Sequence, residues 1–328
     1  MLVLDVSDLL NEDEAVRLVL DNSTREVLRE HIRNKFGTFR SFSEHEKIKF
    51  DTFHNWIRLD KKRRQPRLKD LMRIFDNNIP NIYNKKIVFY QLNNSTINKN
   101  LLPSKIIIDE NFMLGLGIYI AEGNKRSSKK ILISNTNSNI ITFFNEWLSR
   151  YFGVKKEELY IYVYSPEKEF DENSLKKKYA KLLGVSNSQI RVYYNRNSSK
   201  ECMMTAVYNA FLKRILDGVI KNFDKLVDDK TAGSFITGVL SGDGSISFDP
   251  DGYYEICIAL GDNEVELAKK ALDIIRVSYL SRYKNNVNLL LIHRKSNFTK
   301  ILEIGGFGTF DDKNKVLKAA ISNYKFER

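Results

Sequence analysis

Two acidic residues end apolar, glycine-bearing runs in the same way. In GLGIYIAEG, Gly117 stands five residues before Glu122 and Gly123 follows it; in TGVLSGDG, Gly238 stands five residues before Asp243 and Gly244 follows it. Both read G-x-x-x-x-[DE]-G after an apolar start. Such a run predicts a buried helix, and the glycine after it predicts a left-handed C-cap, because glycine takes positive φ without a Cβ clash. A carboxylate at that end faces the partial negative charge of the helix terminus, a cost of about 0.3–1 kcal/mol. Two acids kept at that cost, 121 residues apart, predict a positive partner beside each and a shared role.

The elements around them repeat too. After the first acid come KKILISNTN as a strand, NSNIITFFNEWLSRYFG as an amphipathic helix, LYIYVYS and QIRVYYN as alternating strands, and TAVYNAFLKRILDGV as a helix. After the second come SISFDPDGYYEICIALG as a hairpin, NEVELAKKALDIIRVSYL as a helix, a strand ending in NLLLIHR, then FTKILEI and DDKNKVLKAAISNYK as helices. The expected unit is helix, two strands, helix, two strands, helix. A period of this length is too large for a solenoid and suits a pseudo-twofold pair.

Composition narrows the class. A chain of 328 residues holds two or three domains with substantial cores. No apolar run reaches the roughly 18 residues of a membrane span. The acidic start MLVLDVSDLLNEDEAV lacks the features of a signal peptide, so an intracellular location without membrane contact is expected. Cys202 and Cys257 stand far apart with no metal-binding spacing, and His31, His45, His54 and His293 form no H-x-x-x-H pair, which argues against a disulfide framework or a zinc site. The net charge of +12 suits a polyanion, and nucleic acid is the commonest one.

Residues 1–80 read as a small helical unit. Helices are expected over residues 24–37, 41–48 and 50–58, with a last one from about Pro66, where proline suits a first turn. Short helices tightly joined around Trp56 and phenylalanines resemble a helix-turn-helix DNA-binding domain. Residues 50–58 are then the recognition helix, with Asp51, Thr52, His54, Asn55 and Arg58 as base or phosphate contacts, and Lys61, Lys62, Arg63 and Arg64 meet phosphate. Residues 31–90 hold 15 Lys or Arg against 6 Asp or Glu, whereas residues 1–30 hold 3 against 8, so the basic excess lies where that helix falls. The plainer alternative is a helical bundle with a solvated basic surface. Residues 81–108, with the Asn- and Lys-rich LNNSTINKNLLPS, read as a linker in which KKIVFYQL could be a strand. The two repeats occupy residues 109–222 and 223–328.

GLGIYIAEG and TGVLSGDG resemble the two signature motifs of the LAGLIDADG homing endonucleases in their single-chain, two-motif form. The resemblance covers about residues 112–328 and leaves the N-terminal unit outside. It implies an α+β fold: a duplicated αββαββα unit, two signature helices packed side by side between two saddle-shaped antiparallel sheets, preceded here by the all-α, helix-turn-helix-like unit. Small residues one turn apart, Gly117 with Ala121 and Gly238 with Gly242, would let those helices approach closely. Glu122 and Asp243 would then meet at the base of the seam and hold Mg²⁺, or another divalent cation such as Mn²⁺, with Ala121 and Gly242 beside them at the metal site. The implied activity is site-specific hydrolysis of double-stranded DNA by a monomer with pseudo-twofold symmetry. Lys125 matches a basic residue that some members place near the cut phosphate, and Asn135 falls where a polar, water-ordering residue is common; the second half has Leu260 and Gly261 instead. The sheets would read the major groove with Lys129, Lys130, Ser134, Tyr162, Arg191, Tyr193, Arg196, Tyr254 and Arg294. The same scaffold would also serve a cleavage-deficient DNA-binding regulator or an RNA-binding intron maturase. The chain lacks the start and the His-Asn end of an intein, so a free-standing protein is expected.

Overall fold

A computed structural model describes residues 2–10, 13–58, 65–75, 87–92, 99–197, 199–248 and 253–324. No helix among the described residues is long and apolar enough to cross a membrane. In chain order the elements begin β1 (Leu2–Asp5), α1 (Val6–Leu10), β2 (Val16–Leu18), α2 (Asn22–Phe36), α3 (Phe39–His45), α4 (Phe50–Ile57), α5 (Leu68–Ile74), β3 (Ile87–Leu92), β4 (Lys99–Pro103) and β5 (Lys105–Ile108). The first repeat follows with α6 (Glu110–Glu122), β6 (Ile131–Asn135), α7 (Ser138–Phe152), β7 (Tyr160–Ser165), α8 (Glu172–Leu183), β8 (Ile190–Tyr194), β9 (Cys202–Val207) and α9 (Ala210–Lys221). Then come α10 (Phe223–Leu226), α11 (Asp229–Asp243), β10 (Gly244–Phe248), β11 (Tyr254–Leu260), α12 (Asp262–Ile274), β12 (Leu280–Lys284), β13 (Val287–Ile292), α13 (Lys295–Glu303) and α14 (Asp311–Asn323).

The chain forms two compact units, one of Val3–Ile106 with Arg214–Gly218, the other of Met1–Leu2, Ile107–Lys213 and Val219–Arg328. In the first, α3 and α4 are joined by a four-residue turn in which Lys47 takes φ 54°. Their core is aromatic: Phe42 meets Phe53 at 4.5 Å between ring centroids, and Phe53 meets Trp56 at 6.2 Å. The buried Arg25 of α2 donates to the Trp56 carbonyl and to Gln65 Oε1, which ties α2 to the end of α4. The N-terminal region is helical, as expected, but it is not all helix. β2, β3 and β4 make a three-stranded antiparallel sheet, with Phe89 opposite Leu101; β3 falls in KKIVFYQL, where a strand was possible, and β4 lies where the sequence suggested only linker. Cross-strand pairing with β3, which a single segment does not display, makes β4 regular.

In the second unit, α6 and α11 are the central pair. Each starts at an aspartate N-cap: Asp109 accepts from the Phe112 amide at 2.7 Å, and Asp228 from the Thr231 amide at 2.9 Å. Their cross-point is glycine on glycine. A Cβ on Gly117 would lie 2.2 Å from the Phe235 carbonyl oxygen, and one on Gly238 would lie 2.2 Å from that of Leu114. Neither approach leaves room for a side chain.

The second repeat has the expected αββαββα order, with an antiparallel sheet ordered β10-β11-β13-β12. The first repeat keeps that plan with two changes. The counterpart of β10 shrinks to a single bridge, Gly123 opposite Ile133, which mirrors Gly244 opposite Ile258. The hairpin turn that joins β12 to β13 through Asn285 and Asn286 becomes α8 and β8, so the sheet runs β6-β9-β7-β8 and β8 pairs parallel to β7. Asn285 and Asn286 both have positive φ, 53° and 61°, as a two-residue type I′ turn requires. The strand β9 and helix α9 replace the single helix expected over TAVYNAFLKRILDGV; Asn209 separates them, its side chain accepting from the Phe211 and Leu212 amides at 3.0 and 3.1 Å.

Candidate active site

Glu122 and Asp243 are the last residues of α6 and α11. The glycines after them do not adopt the left-handed conformation expected of a cap: Gly123 has φ −80° and ψ 144°, and Gly244 has φ −79° and ψ 139°. The chain passes straight from helix into sheet pairing, and glycine is needed for space. A Cβ there would lie 2.3 Å from the Tyr119 carbonyl oxygen or 2.5 Å from that of Leu240. Across the seam, a Cβ on Gly242 would lie 2.4 Å from Ala121 Cβ and 3.0 Å from Glu122 Cγ, so the two acid-bearing helix ends touch.

The carboxyls sit half-buried. Burial, with the charge of Asp243 added, pushes Glu122 up to about 7, although Asn135, Lys125 and Lys313 pull the other way. Asn135 Nδ2 donates to Glu122 Oε1 at 2.6 Å. Burial also pushes Asp243 up to about 6, with Lys125 and Lys313 opposing it and Glu264 reinforcing it. Both lysines are lowered by their own burial. They are the positive partners that the helix ends called for. Lys125 Nζ donates to the Ile120 carbonyl of α6, and Lys313 Nζ donates to the Gly244 carbonyl just past α11 at 2.6 Å. Each ammonium therefore meets one carbonyl of a helix end and bears on both acids.

The two acids are not equivalent. Position for position along the matched strands, Leu260 stands where Asn135 does, and it is buried. Asp243 instead lines a cavity of about 490 Å³ with Lys125, Arg126, Leu260 and Glu264. Glu264, in the first turn of α12, pairs with Lys125 at 3.7 Å.

Lys313 and Glu264 were not among the residues singled out from the sequence. Lys313 carried a usable signal, since a cation in the first turn of a helix is disfavoured for the same reason that Glu122 is at a helix end. Glu264 carried none, because an acid in a first turn is ordinary.

The candidate groove residues separate into three sets. Alternating burial along β7 and the register Tyr162 opposite Arg191 and Met204, with Ser134 opposite Met204, put Ser134, Tyr162, Arg191 and Tyr193 on the solvent face of one sheet. Lys129 and Lys130 precede β6, with the Lys130 ammonium 5.9 Å from the Tyr208 ring centre, and Arg196 is exposed in the turn after β8. Tyr254 lies elsewhere: alternation along β11 puts it on the face of the buried Ile256 and Ile258, where it meets Phe248 at 4.7 Å. Arg294 lies beyond the sheet, at the start of α13 with φ 75°. On α4, Thr52, His54, Asn55 and Arg58 are wholly or partly accessible, His54 stacks on Phe50 at 5.7 Å, and Asn55 Nδ2 donates to the Asp51 carbonyl at 2.7 Å. Lys61, Lys62, Arg63 and Arg64 lie outside the described residues.

No protein-family model and no curated protein matches the sequence. Among solved structures, the chain is similar to the N-terminal LAGLIDADG domain of WhiA, at 18% identity and TM-score 0.38 over 63% of this chain and 88% of that one. It is similar to I-DmoI in complex with DNA and Ca, at 11% identity and TM-score 0.38 over 64% of this chain and 97% of that one. It is also similar to the homing endonuclease I-WcaI bound to its DNA recognition sequence, at 9% identity and TM-score 0.39 over 64% of this chain and 87% of that one.

Proposed function

We propose that the chain is a site-specific endonuclease that hydrolyses double-stranded DNA with a divalent cation held between Glu122 and Asp243. The observation that carries this reading is the meeting of two carboxyls at two touching helix ends, beside two half-buried lysines that bear on both. The donor set fits Mg²⁺, or Mn²⁺ in its place. No group of three or more His, Cys, Asp or Glu placed to hold a metal occurs among the described residues, and Mg²⁺ is commonly held by one or two carboxylates with waters and substrate phosphate oxygens completing its shell. The backbone carbonyls of Ala121 and Gly242, each one residue before an acid, would be further oxygen donors. A bound cation would favour the ionised form of both carboxyls against the burial and like charges that raise them, and would supply the charge stabilisation and water activation that phosphodiester hydrolysis requires.

The chain's own residues divide the remaining work. Asn135 fixes the orientation of Glu122. Lys125 and Lys313 put positive charge where a scissile phosphate would gain negative charge. Ser134, Tyr162, Arg191 and Tyr193 face the groove, with Lys129, Lys130 and Arg196 at its rim. Thr52, His54 and Asn55 of α4, with Arg58 just past its end, add DNA contacts of their own, in the manner of a recognition helix.

Leu260 favours a second reading. With an apolar side chain where Asn135 orders the first acid, a protein that binds a DNA site without cutting it is the alternative. Incubation with a randomised duplex library in Mg²⁺, followed by sequencing of cut ends and of retained uncut duplexes, separates the two. A defined cut site is expected; a defined bound site with no cut ends gives the second reading; and preferential retention of structured RNA in a parallel binding assay overturns both.

A further inference from the structure

The first repeat spends 36 residues between β7 and β9, whereas the second spends two between β12 and β13. This insertion is built rather than looped. α8 is capped at its start by Asp171 and at its end by Gly184 in the left-handed conformation, and it packs on α7. The crossover therefore lies on the helix-covered side of the sheet. It delivers β8 alongside β7 in parallel register and leaves the other face of β8 open.

That open face has a definite chemistry. Arg191 and Tyr193 are exposed, and register places them beside Tyr162 and Tyr164. The Tyr193 ring stacks on both tyrosines at 6.2 and 6.0 Å, with interplanar angles of 25° and 29°. Residues 166–200 contain 8 Lys or Arg against 4 Asp or Glu, and the four acids, Glu167, Glu169, Asp171 and Glu172, all fall before or within the first turn of α8. The end that carries Arg191 and Arg196 is left basic. The sheet order puts β8 at the edge farthest from β6, the strand that bridges to Gly123 and supplies Asn135 to Glu122.

We propose that the α8–β8 insertion is a duplex-reading extension, with Arg191 and Tyr193 contacting base edges and phosphate, which lengthens the recognised sequence on the flank bound by the first repeat and not on the other. The inference rests on the duplex-DNA reading given above. One further strand widens the sheet by about 4.8 Å, enough for roughly one to two base-pair steps of 3.4 Å. Arginine reads guanine bidentately in the major groove, and a tyrosine stack is a stiff apolar surface suited to a thymine methyl. The second repeat has only Asn285 and Asn286 at the corresponding place, so its flank ends a strand sooner.

The test is selection of bound duplexes from a randomised library by the full chain and by its variant Arg191→Ala/Tyr193→Ala, with melting temperatures of both recorded. The full chain is expected to specify more base pairs on one side of the centre than on the other. The variant is expected to lose the outermost one or two, where a roughly tenfold penalty for a wrong base pair disappears, while the inner positions stay specified. If the double variant melts early, Arg191→Gln alone is used and the same loss is expected at one position. Unchanged specified positions in a folded variant, equal flanks in the full chain, or loss of binding only to single-stranded oligonucleotides would each overturn the inference. A full chain that retains no duplex at all defeats the proposed function itself, which is a different outcome.

Discussion

The two repeats agree where their helices touch and disagree away from that line. Gly117 and Gly238 occupy mirror-related places in the seam, and Glu122 and Asp243 end the two helices alike. Away from that line the first repeat has Asn135 where the second has Leu260, Lys125 where it has Ile246, and an inserted helix and strand where it has a two-residue turn. A glycine contact with backbone atoms at both sides tolerates no added volume, so neither copy can drift without the other. Positions away from the crossing have no such restraint. Each carboxyl thus keeps its position while its surroundings diverge: Glu122 is held by a hydrogen bond, and Asp243 lines a cavity with a lysine–glutamate pair.

The largest effect expected is also the most symmetric. Glu122→Gln and Asp243→Asn should each abolish double-strand cleavage, measured as linear product from a plasmid with the selected site. Duplex affinity should stay within about tenfold, because cation ligation is lost while the sheet contacts remain. Full cleavage by either variant would remove that carboxyl from the reaction and reduce the pair to a structural coincidence.

Next comes the seam. Gly117→Ala and Gly238→Ala each put a Cβ about where a carbonyl oxygen of the partner helix lies, at 2.2 Å. Overpacking of this kind costs about 1–3 kcal/mol, so Tm should fall by about 5 °C in both variants. A clear fall in one and none in the other would mean that only one helix is fixed at the crossing.

The sequence carried this seam because its signal is local and doubled: small residues at helical spacing, an acid, and a glycine, twice. It carried the second repeat nearly whole, since β11 alternates cleanly and α12 is amphipathic. It did not carry α8, whose ENSLKKKYAKLL is mostly polar and buries only Tyr179, Ala180 and Leu183. Nor did it carry β4, which owes its regularity to β3. Within the site, Glu122 and Asp243 were legible from an electrostatic oddity. Lys313 and Glu264 reach the acids from distant elements, α14 and α12, and only tertiary packing reveals that. Gly123 and Gly244 were legible as glycines and misread as left-handed caps, because sequence shows that a side chain is unwelcome without showing whether φ or space forbids it.

A smaller effect should follow from the hydrogen bond that only one acid enjoys. Asn135 opposes the rise of the Glu122 carboxyl, so Asn135→Leu, which copies the second repeat, should push that carboxyl further up. A hydrogen bond to a charged group contributes about 1.5 kcal/mol or more, which is about one pH unit. Protons compete with the cation for the carboxylate, so the acid limb of the single-turnover cleavage rate should move to higher pH by about that amount, and more Mg²⁺ should move it back. An unshifted limb, with the rate lowered equally at every pH, would mean that Asn135 acts on something other than the ionisation of Glu122.

The smallest effect concerns stability without metal. The Glu122 carboxyl is raised from 4.5 to about 7, and that of Asp243 from 3.8 to about 6. Between those limits the folded chain binds more protons than the unfolded one, so these two groups make stability fall as pH rises, from about pH 4 to about pH 7. Below that window both states are protonated, and above it both are ionised, so the loss is complete by about pH 8. Metal-free protein should therefore melt lower at pH 8 than at pH 5 by an extra amount, on the order of a few °C, that the double variant Glu122→Gln/Asp243→Asn does not show. Mg²⁺ should narrow the gap at pH 8 in the wild type alone, because it binds the folded, ionised pair. Differential scanning calorimetry of both proteins at the two pH values, with and without Mg²⁺, makes the comparison. Equal pH slopes would show that the cost of burying these two carboxylates is relieved by Lys125 and Lys313, leaving nothing for a cation to relieve.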